Sequence, residues 1–312
     1  MNAHDVERHL AAMQIAVSRL SAWADLLDDI NVFPVADGDT GRNLLLSLAP
    51  LRHPASSASV GKELLIAARG NSGNIIGRFL STLIEGIRAG CFESAVRAGR
   101  DAASTAVAEP QPGTMLTVLD TLVDTCADGA ASSAAVVVDR LVETVRSTTA
   151  CLPELTRAGV VDAGALGLLI FLDAYLKSLE EHASPLLSVV DTFQRQLTVA
   201  DAYRPDTSHG CCVDAVLRVN GSESALRDSL APLGDSVVTY REGALLKVHL
   251  HGGAANDIRS SLGMLGTIEQ FHADDIADQT EAFINRGRTT HLHLMTDAAG
   301  SFTREQARAL NV

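Results

Sequence analysis

The chain has 312 residues, with 25 Lys and Arg against 38 Asp and Glu and a formal charge of −13; it is too long for a small stapled scaffold and has the wrong sign for gripping nucleic acid without metal ions. Hydrophobic residues make up 46% and charged residues 20%, which excludes a largely disordered chain and leaves room for about two domains with cores of their own. No run of ~18 uncharged apolar residues offers a membrane span, MNAHDVERHL lacks the order of a secretory leader, and five cysteines without framework spacing predict free thiols in a cytoplasmic setting.

Leu10, Met13, Val17, Leu20, Leu27 and Ile30 fall at helical spacing and predict an amphipathic helix over 10–30. Alanine-rich segments at 61–68, 75–87, 94–106, 115–127, 134–148 and 166–176 carry the same period between Gly, Pro and Asn breaks. Residues 1–180 are therefore expected to form an all-helical domain. Residues 181–208 have no dominant period and predict a connector with one helix in it. After that the period changes. In CCVDAVLRV, Val213, Ala215, Leu217 and Val219 alternate onto one face. SESALRDSLAPLG reads as a capped helix, DSVVTYREGALLKVHLHG as two strands around a Glu-Gly turn, NDIRSSLGMLG as a helix and TIEQFHADD as a closing strand. The order β-α-β-β-α-β predicts a smaller α+β domain of the split ferredoxin-like plan over 209–288. Residues 289–312 hold a strand, HLHLMTDAAG, and a helix start, SFTREQARAL. A single β-α unit cannot bury its own apolar face, so these residues are expected to open a further α/β domain.

Three loop segments carry chemistry. In Asn31-Val-Phe-Pro-Val-Ala-Asp37-Gly-Asp39-Thr40-Gly41-Arg42-Asn43, two carboxylates flank Gly38, which permits a tight turn. They present hard oxygen ligands suited to Mg²⁺ or Ca²⁺. An EF-hand fails, because Gly41 and Arg42 occupy its fifth and sixth positions and Leu48 the place of its terminal Glu. The plain alternative is a solvated Asp-Gly turn capping the next helix. Arg69-Gly70-Asn71-Ser72-Gly73-Asn74 stands before the helix at Ile75, where exposed N–H groups would cradle a phosphate or simply form a turn and N-cap. Neither a Walker GxxxxGK[ST] nor a GxGxxG pattern occurs. Pro112-Gly113-Thr114-Met115 and Gly159-Val-Val-Asp162-Ala163-Gly164 read on their own as helix starts.

Taken together and in order, NVFPVADGDTGRN, AARGNSGNIIG, PQPGTMLTVLD and AGVVDAGALGLL resemble the nucleotide-binding domain of the dihydroxyacetone kinase family, specifically its bacterial fatty acid kinase branch. HGCCVDAVLRV, LGDSVVTY and LLKVHLHG resemble that branch's second domain. The resemblance implies an antiparallel helical barrel holding ATP at one end through Mg²⁺. Carried over residue by residue, it implies Asp37 and Asp39 as the catalytic Mg²⁺ ligands, with Thr40 and Asn43 beside them and Asn31 where dihydroxyacetone kinases place a further acid. It also implies Asn71, Ser72 and Gly73 facing the phosphates, Thr114 and Met115 near the nucleotide, and Asp162 and Gly164 in a further loop at that end, where Ala165 replaces a usual Gly.

The implied reaction is phosphoryl transfer from ATP to the carboxylate of a fatty acid presented by a DegV-type fatty-acid-binding protein, giving an acyl phosphate, with the kinase a homodimer. A fatty carboxylate, with its pKa near ~4 to 5, is already ionised at neutral pH and needs no strong base. It needs charge neutralisation and in-line placement. Residues 289–312, with His291 and His293 on the strand and Ala298 where Ser is usual, resemble the first strand of a DegV domain, so the chain is expected to be a fragment of a fusion. Two other readings are the nucleotide-binding component of a dihydroxyacetone kinase, which phosphorylates a triose, and a non-catalytic nucleotide- and zinc-binding adaptor.

Strand parity gives a second site. On 245–251, Lys247, His249 and His251 share one face, and on 211–219 the even-numbered Cys212 and Asp214 point the same way, onto an open face of the sheet. The first and third strands are neighbours in the split plan, so Cys212, His249 and His251 converge as a set that favours Zn²⁺. Asp214 or water is expected as the fourth ligand, and the fatty acid kinase branch has a Cys and a His-x-His at matching places. The alternative is two surface histidines.

Overall fold

The computed structural model describes residues 3–54, 59–127, 133–182, 184–205, 210–220 and 223–285. The residues expected to open a DegV domain, with His291, His293 and Ala298, lie outside these. Up to residue 205 the described secondary structure is helical: α1 (Ala3–Ser21), α2 (Ala24–Asp29), α3 (Thr40–Ser47), α4 (Val60–Ala67), α5 (Gly70–Ala89), α6 (Phe92–Ala106), α7 (Met115–Ala127), α8 (Ala134–Ser147), α9 (Pro153–Ala158), α10 (Ala163–Ser178) and α11 (Val189–Phe193), with short 3₁₀ turns between some of them.

The helix expected over 10–30 is two helices. Backbone bonds from Ala22 to Arg19 O and from Trp23 to Leu20 O tighten the chain after α1, and the break drops Trp23 into the core. The α5 helix begins five residues earlier than its apolar period suggested. Gly70 has φ +62, and Gly70 to Asn74 form the first turn of α5 instead of a loop before it. At the other end Gly90, with φ +105, closes α5 as a left-handed cap.

Helix α10 organises this domain. It is apolar on all sides and buried from Ala163 to Tyr175, as a helix must be when neighbours surround it, and it packs against α1, α2, α3, α7 and α8. Its one buried acid, Asp173, lies 2.6 Å from Lys177 and 3.8 Å from Arg19 and accepts the Leu187 N–H at 2.8 Å. That bond, with Val189, Phe193, Leu197 and Tyr203 buried in the same core, fastens the segment after α10 to the helical domain.

The second domain runs β1 (Cys211–Arg218), α12 (Glu223–Leu230), β2 (Gly234–Glu242), β3 (Leu245–Gly252), α13 (Ala255–Leu265), β4 (Thr267–Asp275) and α14 (Ile276–Asn285). Its sheet has the order β2-β3-β1-β4 with every pair antiparallel, so β1 and β3 are neighbours as the split plan requires. The odd-numbered residues of β1 and Leu246, Val248 and Leu250 of β3 form an apolar core with Leu226, Leu230, Ile258 and Leu262 of α12 and α13. On the opposite face Cys212 pairs with His251 and Asp214 with His249.

That opposite face is not open. It is docked on the helical domain: Tyr240 Oη donates to Gly61 O at 3.0 Å, Arg78 donates to Arg241 O at 3.2 Å, and Val216, Tyr240 and Leu245 pack with Leu65. Lys247 and His249 are 0% exposed. A polar strand face looks solvent-facing by parity alone. Here it is buried because a second domain meets its polar groups.

Candidate functional site

The loop from α2 to α3 is built by two side chains. Asp28 Oδ1 accepts the N–H groups of Gly41 at 2.7 Å and Arg42 at 3.2 Å, satisfying free donors at the start of α3. Asn31 Oδ1 accepts Thr40 N at 2.8 Å and Asp39 N at 3.2 Å, while its Nδ2 donates to Val35 O at 3.1 Å. The Asn31 amide is thus fully used in shaping the loop, and Thr40 contributes through its backbone. Gly41 must be glycine, because a Cβ there would lie 2.0 Å from Ala24 O.

This loop turns Asp37 and Asp39 into a small cavity that they share with Asn43 of α3, Asn71 and Ser72 of α5, and Cys212, His249 and His251 of the sheet. The two sites expected from sequence, the acid pair and the Cys/His/His set, therefore meet in one place. Burial pushes the Asp37 carboxyl well above its usual range, and the neighbouring Asp39 pushes it further. Burial also raises Asp39, against the pull of Asn43 and His249. Two acids held this way repel each other and call for a cation. From the sheet side, α14 brings Gln279 Nε2 to 3.4 Å from Asp39 Oδ2.

The ligand atoms of Cys212, His249 and His251 all lie within 4.8 Å of one another. Neither ring nitrogen of the buried His249 has a hydrogen-bond partner, a costly state unless something else binds there. Burial, then the carboxylates of Asp214, Asp39 and Asp37, push the Cys212 thiol up. Burial and His249 lower His251 to about 3, which keeps its imidazole neutral and able to ligate. The residues fit a borderline-soft cation.

Asp214 does not join that set. Its oxygens accept Gly70 N at 3.0 Å and Asn74 Nδ2 at 3.2 Å, and they lie 3.3 Å from Lys247 Nζ and 3.5 Å from His249 Nδ1. Although burial opposes ionisation, His249 and Lys247 hold this carboxyl far below its usual range. Asp214 ties the sheet to the first turn of α5.

A second cavity of about 460 Å³ adjoins the first; Phe33, Pro34, Asn71, Ser72 and His251 line both. Thr114, Met115 and Asp162 line it as well. Asp162 caps α10 by accepting Ala165 N at 2.7 Å, and burial lifts its carboxyl to about 7.

Residues 34–177 match the family described as DAK2 domain, and residues 208–283 match the FakA-like middle domain of fatty acid kinase. The chain carries a DAK2 domain. Protein YloV of Bacillus subtilis is 29% identical over 323 residues, covering 89% of this chain and 57% of that protein. An uncharacterized protein of Staphylococcus saprophyticus is 28% identical over 299 residues, covering 86% and 54%. The chain thus spans a little over half the length of these curated relatives. A crystal structure of the dihydroxyacetone kinase from C. freundii in complex with AMP-PNP and Mg²⁺ aligns at a TM-score of 0.45 with 18% identity, over 57% of this chain and 34% of that one.

Within the DAK2 domain, two expected site residues serve packing. A Cβ on Gly73 would lie 2.0 Å from Ser47 Oγ, and one on Gly164 would lie 2.7 Å from Ser72 Oγ. Both glycines let helices close in behind the cavity. Sequence reasoning missed Asp28, whose place inside α2 gave no signal, and Gln279, on a helix it did not expect.

Proposed function

We propose that this chain is the kinase component of an acyl-phosphate-forming system, transferring the γ-phosphoryl group of ATP to the carboxylate of a fatty acid. What carries the reading is the meeting, in one buried cavity, of the paired acids of the DAK2 domain, the first turn of α5 and the Cys/His/His set of the fatty acid kinase-like middle domain. Asp37 and Asp39 would hold Mg²⁺, and Cys212, His249 and His251 would hold Zn²⁺ with an open position. Bound there, these ions supply positive charge that offsets the repulsion between two anionic reactants.

The protein's own groups do the rest. Asn71 and Ser72 present backbone N–H groups and the positive end of α5 to the phosphates. Asn31 and Asp28 fix the loop so that Asp37 and Asp39 keep their spacing. Asp214 holds the first turn of α5 against the sheet. The docked sheet face keeps bulk water from the reacting atoms. No residue is needed as a strong base, since the acceptor carboxylate is ionised. The helical barrel, the homodimer, the cytoplasmic setting and delivery of the acid by a DegV-type protein or fused domain belong to the same reading.

The test is ATP consumption by the chain with Mg²⁺ and a DegV-type protein loaded with palmitate or oleate, with dihydroxyacetone in a parallel tube. Turnover that needs the fatty acid and is trapped by hydroxylamine as a hydroxamate is expected. Turnover with the triose alone would transfer the assignment to a dihydroxyacetone kinase component, and nucleotide binding without turnover in either tube would favour an adaptor.

A further inference from the structure

We propose that the second domain forms part of the nucleoside-binding wall of the nucleotide site, through Ala231 and the bulged start of β2 at Gly234–Val237. This rests on the nucleotide reading above and adds to it that the base and ribose are held between the two domains.

The larger cavity, about 460 Å³, is the size of a small-molecule pocket. The residues it shares with the acidic cavity, Asn71, Ser72 and His251 among them, mark where a triphosphate would enter the metal site. What remains of the wall is then left for the nucleoside. It comes from Val107 to Leu116 on one side and from Ala231 and Gly234–Val237 on the other. Glu109 and Asp235 also line this part. Carboxylates there repel phosphates but accept hydrogen bonds from ribose hydroxyls or a base amino group.

The local backbone is built to keep this wall in place. The β2–β3 register breaks between Asp235 and Val238, and Ser236 takes φ +52, a region that non-glycine residues seldom enter. Such a conformation persists when its surroundings hold it. The holding contacts are visible: Ala108 N donates to Val237 O at 3.0 Å, and Val107 bridges Val238. The bulge is thereby fastened to the linker between α6 and α7, the same linker that brings Gln111, Thr114 and Met115 to the cavity.

The test measures binding of Mg²⁺-ATP and of Mg²⁺-tripolyphosphate, which has no nucleoside, to the full chain by calorimetry. Ala231 is exposed, so Ala231→Trp places bulk in the cavity at small cost to the fold. It should weaken ATP at least about tenfold and leave tripolyphosphate unchanged. If Ala231→Trp unfolds the second domain, detected as lost Zn²⁺ uptake, Asp235→Ala takes its place, with a smaller loss confined to ATP. Unchanged ATP affinity, or equal losses for both ligands in a folded variant, would overturn the proposal while leaving the nucleotide reading standing. A wild-type chain that binds neither ligand would overturn both.

Discussion

The two faces of the four-stranded sheet are equally buried and chemically opposite. One carries Val213, Ala215, Leu217, Leu246, Val248 and Leu250 against α12 and α13; the other carries Cys212, Asp214, Lys247, His249 and His251 against the helical domain. Burying apolar area stabilises at roughly 25 cal/mol per Å², whereas burying unpaired charges and imidazoles costs free energy. The first face therefore holds the domain together, and the second is maintained at the expense of stability for what it binds. Burial alone does not separate a structural face from a functional one.

Four substitutions would break or sharpen that contrast. The largest effect belongs to Asp39→Asn, which removes a hard charged ligand without changing shape. ATP-dependent acyl phosphate formation should fall by about a thousandfold or more, while the urea midpoint stays or rises because the repulsion with Asp37 is relieved. Full activity with Mg²⁺ would sink the metal assignment. On the apolar face Leu250→Ala should cost about 2–5 kcal/mol in urea unfolding, with Zn²⁺ stoichiometry unchanged in the folded protein. Lys247→Met, which strands Asp214 without its cation, should cost about 3 kcal/mol, and adding Asp214→Asn should restore much of it. An additive double mutant would show that the pair does not interact.

The smallest effect is a pH dependence. Buried His251 has its pKa depressed to about 3 from an ordinary 6.5, so below pH 6.5 the unfolded chain binds a proton that the native state refuses. The metal-free protein should lose stability as pH falls from 6.5 toward 3, by on the order of 1–2 kcal/mol at pH 5. His251→Gln should flatten that loss. Parallel stability curves for the two proteins between pH 7 and 5 would count against the burial of this imidazole.

Local pattern made much of this legible. Alternation over 211–219 and 245–251 gave the strands, their facing parity and the neighbour relation that joins Cys212 to His251. Asp37, Gly38 and Asp39 announced a turn that gathers acids. Docking was not legible, because no period in the sequence reports that Tyr240 reaches Gly61 or that Asp214 reaches Gly70. The start of α5 was misplaced for a related reason: Gly70, Asn71 and Ser72 are poor helix formers on propensity, and contact with Asp214 and α3 holds them in the helix. Ser236 escaped notice because its backbone conformation is imposed by a partner strand.

The bonds that close the cavity span very long stretches of chain. Gly70 and Asp214 are 144 residues apart, and Gln279 and Asp39 are 240 apart. Long loops close late, after local helical contacts have formed, and domains generally fold in the order in which they leave the ribosome. A nascent chain that has completed α10 thus already possesses its helical core but lacks Cys212, both histidines and the wall at Gly234–Val237. The order of synthesis itself keeps the half-made protein silent, with its acids in place and nothing yet to close over a substrate.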